Sequence, residues 1–260
     1  MKSFFKEMKE YGFFTLYMAK TELKAEVANS YLNWIWWVLE PLLNMLVYYY
    51  VFSDLMGNTE QYFIIFIYSA LIMWNFFNRV ITYSIKLIRT NKDIVTKVYI
   101  PKYVLLISNM LMNAFKFLLS AIILVVLMII FRVPVDAHLL WLIPVYLMFA
   151  VFTFGCASIL LHFGVFIDDL GYAVSILLNM LFFLSGVFGN LQTMIKGQLG
   201  VVLLKYNPIA FFLDAMRQAL LYKSNPDGLF LAIWSVISVV LCVLGVSLIR
   251  KYENTYVKII

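Results

Sequence analysis

The chain has 260 residues, of which 64% are apolar, 18% aromatic and 13% charged. Soluble globular domains are about 45–50% apolar and about 25% charged, so this composition excludes a soluble globular fold. It also excludes a disordered chain, because disorder requires low hydrophobicity. The two cysteines, Cys156 and Cys242, are too few for a disulfide scaffold or a cysteine-based zinc module. We therefore expect an all-α integral membrane protein that crosses the bilayer several times.

Positive charge is the second global feature, with a formal net charge of +6. The lysines and arginines flank the apolar runs instead of collecting in one segment. Cytoplasmic loops of membrane proteins carry such an excess, whereas a nucleic-acid-binding domain concentrates it in a patch. We interpret the charge as a topology signal and expect no nucleic-acid partner.

The N-terminal element, residues 1–33, precedes the first long apolar run. Five apolar residues in it recur at helical spacing: Phe4, Met8, Tyr11, Phe14 and Met18. This pattern predicts an amphipathic interfacial helix that lies on the inner leaflet and contacts membrane lipid. A frayed tail is the alternative, which so many bulky apolar residues disfavour.

The remainder of the chain, residues 34–260, is expected to form the membrane domain. A helix needs about 20 mostly apolar residues to cross a bilayer. Six transmembrane helices are predicted, at residues 34–56, 62–87, 103–131, 139–166, 170–188 and 229–249. Most lysines and arginines fall on the side that carries the two termini, so both termini are expected in the cytoplasm.

Three of the predicted spans carry polar residues along one helix face, at spacings of three or four residues. These residues are Glu40, Asn44 and Tyr48 in the first span, Asn75, Asn78 and Arg79 in the second, and Asn109, Asn113 and Lys116 in the third. Such a face is unsuited to lipid and is expected to line either a transport path or the interior of the helix bundle. Both alternatives stay open at this point.

Glu40 and Arg79 are predicted to form an ion pair. At about 1.5 Å per residue, Glu40 lies roughly 10 Å from the start of the first span, and Arg79 lies roughly 12 Å from the cytoplasmic end of the second. Neighbouring antiparallel helices bring side chains of matched depth together. The pair suits a polar contact between helices as well as a role in a pathway.

The cytoplasmic loop at residues 88–102 mixes charged and apolar residues. Lys92, Asp93 and Lys97 alternate with apolar residues at helical spacing. The pattern predicts a short amphipathic helix that docks a soluble partner. A solvated basic loop is the equally supported alternative.

The extracellular segment at residues 189–228 lies between the fifth and sixth predicted spans. It contains two apolar stretches, separated by an Asn-Pro pair, and each is short for a bilayer crossing. Charged residues also make a full crossing costly. We expect a re-entrant helical hairpin whose backbone ends are shielded by protein. The residues singled out in it are Asn207, Pro208, Asp214 and Arg217.

Catalytic motifs are missing from the sequence. There is no phosphate-binding loop of the form G-x-x-x-x-G-K-[ST], so the chain lacks that machinery for ATP hydrolysis. The motifs H-E-x-x-H and G-x-S-x-G are also absent. We therefore expect no catalytic, cofactor-binding or metal-binding residues in this chain.

Several motifs together resemble a known family, the permease subunits of ABC exporters for cell-surface polysaccharides such as O-antigen, capsule and teichoic acid. The matching stretches are NSYLNWIW at 29–36 with EPL at 40–42, MWNFF at 73–77, VYIPK at 98–102, FLSGVF at 183–188, and YNP at 206–208 followed by AMR at 215–217. They cover nearly the whole chain in the family's order. One departure is Asn33, where relatives often have glycine.

The resemblance implies a homodimer that works with two copies of a separate ATP-binding subunit, which binds ATP and Mg²⁺. The loop with Lys92, Asp93 and Lys97 would contact that ATPase, and the segment containing Asn207 and Arg217 would form the extracellular gate. The cargo would be a lipid-linked glycan, either a polysaccharide or a teichoic acid polymer. The resemblance places the protein in the bacterial cytoplasmic membrane.

Two other functions compete with polysaccharide export. The first is a drug or small-lipid efflux permease of the same exporter class. The second is a membrane enzyme that acts on lipid-linked sugars. An enzyme of that kind needs clustered acids or histidines at one membrane face, and the sequence offers no such cluster.

Overall fold

The computed structural model describes residues 7, 9–28, 31–55, 57, 60–195 and 198–259. In this part of the chain all regular structure is helical, which confirms the all-α prediction. The α-helices are α1 (Gly12–Val27), α2 (Trp36–Tyr49), α3 (Phe63–Thr90), α4 (Lys92–Lys97), α5 (Lys102–Ile130), α6 (Leu142–Phe166), α7 (Leu170–Leu184), α8 (Leu191–Met194), α9 (Gln198–Tyr206), α10 (Pro208–Leu220) and α11 (Gly228–Ile259). Short 3₁₀ turns at Asn33–Ile35 and Ala137–Trp141 precede α2 and α6, and a π-helical turn at Tyr50–Leu55 follows α2.

Five helical segments in the described residues are long and apolar enough to cross a membrane. They are Asn33–Asp54, α3, α5, Ala137–Phe166 and α11. The count rises to six if α9 and α10, which meet at an angle of 93°, are taken as one span. The predicted fifth span contains α7, which has only 15 residues. Since a crossing takes about 20 residues, the predicted arrangement of six spans stays a prediction.

Helix α3 forms the centre of the bundle and contacts α2, α5, α6, α7 and α10. Its buried apolar residues occur on every side of the helix. A helix of that kind is stable where other helices surround it. The first span and α11 bury only 11% and 17% of their most apolar segments, so they lie at the outside of the subunit.

Glycines allow two pairs of helices to approach closely. A Cβ atom at Gly155 of α6 would lie 2.8 Å from the Cβ atom of Leu241 in α11. On another side of α6, a Cβ atom at Gly164 would overlap the backbone carbonyl of Ile85 in α3. Small residues at such contacts are a common means of packing membrane helices, because they let the backbones meet.

Helix α1 and the residues just before it run lengthwise along α5. Glu7 contacts the hydroxyl group of Tyr103 at the start of α5. Glu26, near the end of α1, contacts Lys116, which lies about 20 Å further along α5. The N-terminal element therefore packs against protein over a large part of its length.

The predicted apolar face of α1 is turned towards this protein contact. Tyr11, Phe14 and Met18 are partly buried against the core, while Phe13 and Leu16 are exposed on other sides of the helix. The other two predicted members of the face, at positions 4 and 8, lie outside the described residues. Placement of the helix on the inner leaflet stays a prediction.

Both connecting regions singled out in the sequence contain helices. The loop at 88–102 contains the six-residue helix α4. The segment at 189–228 contains α8, α9 and α10. Asn207 caps α10, since its side-chain oxygen accepts a hydrogen bond from the backbone N–H of Ile209 at 3.0 Å. Pro208 occupies the first position of α10, where its missing N–H is not needed.

Candidate functional site

A small cleft, with a volume of about 20 Å³, lies between the first span, α3 and α5. Its polar and aromatic lining comprises Trp37, Asn75, Phe76, Arg79, Asn113, Lys116, Phe117 and Ser120. Asn75 and Arg79 belong to the polar face predicted for α3, and Asn113 and Lys116 to the one predicted for α5. The structure therefore brings these two faces together in one place.

The ion pair predicted between Glu40 and Arg79 is present beside this cleft. The guanidinium group of Arg79 donates to a carboxylate oxygen of Glu40 at 2.7 Å. The Arg79 side chain is 28% exposed and that of Glu40 is 51% exposed. The pair joins α2 to α3, and the carboxylate is the more accessible partner.

Lys116 forms a second ion pair that the sequence analysis missed. Its ammonium group contacts the carboxylate of Glu26 in α1, and it lies 5.6 Å from the centre of the Trp37 ring. The Lys116 side chain is only 7% exposed, against 43% for Glu26. A lysine in the middle of an apolar helix requires an acidic partner. The sequence therefore indicates that Lys116 has an acidic partner, but it does not reveal that α1 packs along α5.

Asn109 and Asn113 extend the polar face of α5 towards the start of that helix. The Asn113 side-chain amide donates to the backbone oxygen of Asn109 at 3.0 Å and to its side-chain oxygen at 3.1 Å. Both side chains are buried. Within the described residues, the Asn113 Oδ1 and Asn109 Nδ2 atoms have no hydrogen-bond partner. The cleft therefore has an acceptor available on Asn113.

Glu22, one turn before Glu26 on α1, is the other acidic residue that the sequence analysis missed. One of its carboxylate oxygens is buried and has no hydrogen-bond partner in the described part of the chain. Burial raises the pKa of Glu22 to about 7; Lys116 opposes this rise and Glu26 adds to it. The Glu22 carboxyl group therefore titrates near neutral pH.

The other predicted polar residues lie apart from the cleft lining. Asn44 is exposed and Asn78 is half-buried. The ring of Tyr48 packs against those of Phe188, at 4.8 Å between centres, and Phe182, at 6.0 Å. Tyr48 therefore contacts the region at the end of α7.

Arg217 of α10 lies near the start of α3, and it is buried between α10 and the turn that follows α7. Its guanidinium group donates to the backbone oxygens of Gly186 at 2.7 Å, Val187 at 3.0 Å and Phe66 at 3.3 Å. The guanidinium carbon lies 3.4 Å from the centre of the Phe66 ring. Buried backbone carbonyl groups need a donor, and Arg217 supplies one to those of Gly186 and Val187 in the turn beyond α7.

Asn207, just before α10, adds a second connection to the end of α7. Its side-chain amide donates to the Leu184 backbone oxygen at 3.2 Å and to the Ser185 hydroxyl at 3.1 Å. Asp214 makes a more local contact, accepting from the Gln218 amide at 2.5 Å. The predicted hairpin residues thus hold α10 against α3 and α7.

The charges of α4 stay in contact with solvent. The ammonium group of Lys97 lies 3.8 Å from the Asp93 carboxylate, and both side chains are largely exposed. An exposed pair of this kind contributes about 0–1 kcal/mol. Lys92 is exposed as well. These three residues form an accessible charged surface.

Two further contacts between charged residues were not predicted from the sequence. Arg89, at the end of α3, pairs with Asp168 in the turn between α6 and α7 and donates to the Val165 backbone oxygen at 3.1 Å. Arg250 of α11 donates to the Glu7 carboxylate at 2.9 Å. Both contacts join segments that are distant in sequence.

Comparison with known proteins gives a family and three relatives. The ABC-2 type transporter family matches residues 14–221. The O-antigen export system permease protein RfbA of Myxococcus xanthus is 30% identical over 237 residues, which cover 91% of each chain. Two proteins of the same name from Klebsiella pneumoniae are 25% and 23% identical over 240 residues, 92% of each chain. The family match runs from α1 through α10, so it includes the cleft, α4, α8 and α9.

Proposed function

Because the chain belongs to the ABC-2 type transporter family, we propose that it is the permease subunit of an ATP-driven exporter of lipid-linked polysaccharide. The observation that carries this proposal is the match to O-antigen export permeases over 91–92% of both chains. The cargo crosses the cytoplasmic membrane of a bacterium and is either an O-antigen-like polysaccharide or a teichoic acid polymer. ATP and Mg²⁺ bind to a separate subunit.

Helix α3 is the proposed mechanical connection between the two sides of the membrane. At its cytoplasmic end it leads into α4 through Asn91, whose side chain donates to the Leu87 backbone oxygen at 2.9 Å. Near its other end, Phe66 contacts Arg217 of the hairpin. Closure of the ATPase subunits pushes on α4, and α3 transmits this displacement to the hairpin, which acts as the extracellular gate.

Two copies of the permease and two ATP-binding subunits form the proposed complex, with both termini in the cytoplasm. The exposed side chains of α7 support a second permease copy as a partner. Tyr172, Ile176, Met180 and Phe183 are exposed, and their spacing places them on one face of the helix. A large apolar face of this kind is suited to lipid or to another subunit.

Charge reversal in α4 tests the coupling role. In the variant Asp93→Lys with Lys97→Glu, the i, i+4 attraction that supports the helix is kept, while the pattern presented to the ATPase is inverted. We expect ATP hydrolysis to continue and glycan export to be lost, with membrane insertion unchanged. Lys258→Glu, an exposed charge reversal near the end of α11, is the control. Normal export by the α4 variant would exclude this loop from coupling.

Cargo stimulation separates polysaccharide export from drug efflux. The purified complex of this chain with its ATP-binding partner is mixed either with a lipid-linked glycan or with hydrophobic drugs. We expect the glycan alone to stimulate ATP hydrolysis. Stimulation by the drugs alone would favour an efflux permease, and conversion of the lipid-linked sugar by the chain without an ATPase would show that it is an enzyme.

A further inference from the structure

An apolar groove with a volume of about 620 Å³ lies between the last turns of α5 and the first turns of α6. Leu124, Met128 and Leu220 form part of its floor and are buried. Val125 and Ile129 border its open side and are exposed. Small-molecule sites have volumes of about 300–1,000 Å³, so this groove has the space for a ligand.

The length of the groove corresponds to one leaflet of a bilayer. Its lining extends along α5 from Ala121 to Arg132, just beyond the end of the helix, which is about 16 Å at a rise of about 1.5 Å per residue. One leaflet contributes about 15 Å of hydrocarbon, half of the roughly 30 Å in a bilayer. Trp141, just before α6, is of the type that is common at the membrane–water boundary. The end of the groove at Arg132 is therefore its membrane-surface end.

The backbone at Arg132 is held in a conformation that favours glycine. The N–H of Val133 donates to the Met128 oxygen at 2.9 Å, and the N–H of Arg132 donates to the Ile129 oxygen at 3.2 Å. These are the hydrogen bonds of a Schellman motif, in which the left-handed residue is usually glycine. Arg132 occupies that position with a φ of +52°, at a backbone cost that glycine avoids. Such strain is concentrated at ligand-binding and other functional sites, which indicates that the Arg132 side chain has a use.

The Arg132 guanidinium group is free to bind an anion. Its side chain is exposed, and no carboxylate in the described part of the chain forms an ion pair with it. The nearest acid in the sequence, Asp136, accepts from the Ala137 backbone N–H at 2.6 Å and contacts the His138 ring at 3.1 Å. A guanidinium group binds phosphate through two parallel hydrogen bonds. The groove therefore combines an apolar channel with a phosphate-binding group at its mouth.

We propose that this groove binds an anionic membrane phospholipid, with one acyl chain between α5 and α6 and the phosphate group on Arg132. The lipid is a resident component of the membrane and not the exported cargo, so the inference does not depend on the function proposed above. Its acyl chain contacts Leu220, the last residue of α10. A bound lipid consequently holds the end of α10 against α5 and α6.

Native mass spectrometry of the full chain, purified in detergent and freed of phospholipid, tests the proposal. The probes are dioleoyl phosphatidylglycerol, dioleoylglycerol, which lacks the phosphate, and glycerol 3-phosphate, which lacks the acyl chains. We expect phosphatidylglycerol to bind about tenfold or more tightly than dioleoylglycerol, because a hydrogen-bonded charge is gained. Glycerol 3-phosphate should not bind. Equal affinity for dioleoylglycerol would overturn the role of the phosphate, and equal affinity for glycerol 3-phosphate would overturn the role of the groove.

Two variants assign the binding to this place. Arg132→Gln should weaken phosphatidylglycerol binding about tenfold or more and leave dioleoylglycerol binding unchanged. Ala121→Phe fills the deep end of the groove and should weaken the binding of both lipids. Lys205→Gln is the matched control, since Lys205 also carries a positive charge, 3.9 Å from the Asp227 carboxylate, but lies outside the groove. An equal loss in Arg132→Gln and Lys205→Gln, or unchanged binding in Ala121→Phe, would overturn the site.

Arg132→Gly separates a ligand-binding role from a structural one. Glycine is preferred at the left-handed position, so the Tm of the lipid-free variant in detergent should be equal to or higher than that of the unaltered chain. Phosphatidylglycerol should raise the Tm of the unaltered chain, because a ligand stabilises the state that binds it, and should raise that of the variant less. A lower Tm in the lipid-free variant, or an equal rise in both chains, would overturn the proposal.

Discussion

Replacing Arg217 by methionine tests how the hairpin is held against the bundle. Methionine keeps much of the apolar volume but removes the donors to the carbonyl groups of Gly186 and Val187. A buried carbonyl left unsatisfied costs about 1–3 kcal/mol. Relief of the cost of burying a cation offsets part of this loss. Two unsatisfied carbonyls cost at most about 6 kcal/mol. We therefore expect the free energy of unfolding to fall by about 3 kcal/mol, which is half of that upper value.

The assay is thermal unfolding of the purified chain in detergent, followed by circular dichroism. For a chain of this size, about 3 kcal/mol corresponds to a Tm lower by roughly 6–12 °C. Arg217→Lys should be no better than Arg217→Met, because an ammonium group lacks the planar fork that reaches two carbonyls. Arg132→Met, at an exposed arginine, is the control. A loss in Arg217→Met no larger than in Arg132→Met would refute the reasoning.

Three further predictions concern the contacts between helices. Exchanging the charges of Glu40 and Arg79 together should restore the assembly that either single exchange disrupts, as measured by the yield of folded chain; a double variant no better than the singles would show that the pairing is wrong. Gly164→Ala should lower the Tm, because its Cβ atom would meet the Ile85 backbone. Gly171→Ala is the control, since a Cβ atom there lies 3.8 Å from its nearest neighbour. Equal Tm values in the two variants would contradict the close contact at Gly164. The pKa of Glu22 is raised from 4.5 to about 7. Between these two pH values the folded chain therefore keeps a proton that the unfolded chain releases. This contribution to stability is complete below pH 4.5 and is lost as the pH rises through about 7. Glu22→Gln should therefore flatten the fall in Tm between about pH 5 and about pH 8, and an unchanged pH profile would argue against burial of this carboxyl group.

The Glu40–Arg79 pair shows what a sequence can predict about this site. Both residues lie on long apolar helices that neighbour each other along the chain, so helix rise alone sets their depth. The polar faces of α3 and α5 follow from helical spacing in the same way. Local periodicity and the order of the helices along the chain were sufficient to predict these contacts.

The Glu26–Lys116 pair required information that periodicity lacks. It depends on α1 running along α5, a contact between segments about 90 residues apart. Arg217 presents a different difficulty, because its partners are backbone carbonyl groups, which every residue has. The sequence indicated that a charged residue in the hairpin is costly, but it contained no sign of which turn supplies the acceptors.

Transport in a reconstituted system tests the central claim most directly. This chain and its proposed ATP-binding partner are placed in liposomes that hold a lipid-linked polysaccharide on the ATPase side. The glycan on the opposite side is measured with a lectin that does not cross the membrane. The account predicts that the glycan becomes accessible to the lectin with ATP and stays inaccessible without it. Export of hydrophobic drugs with no ATP-dependent appearance of glycan would contradict the account.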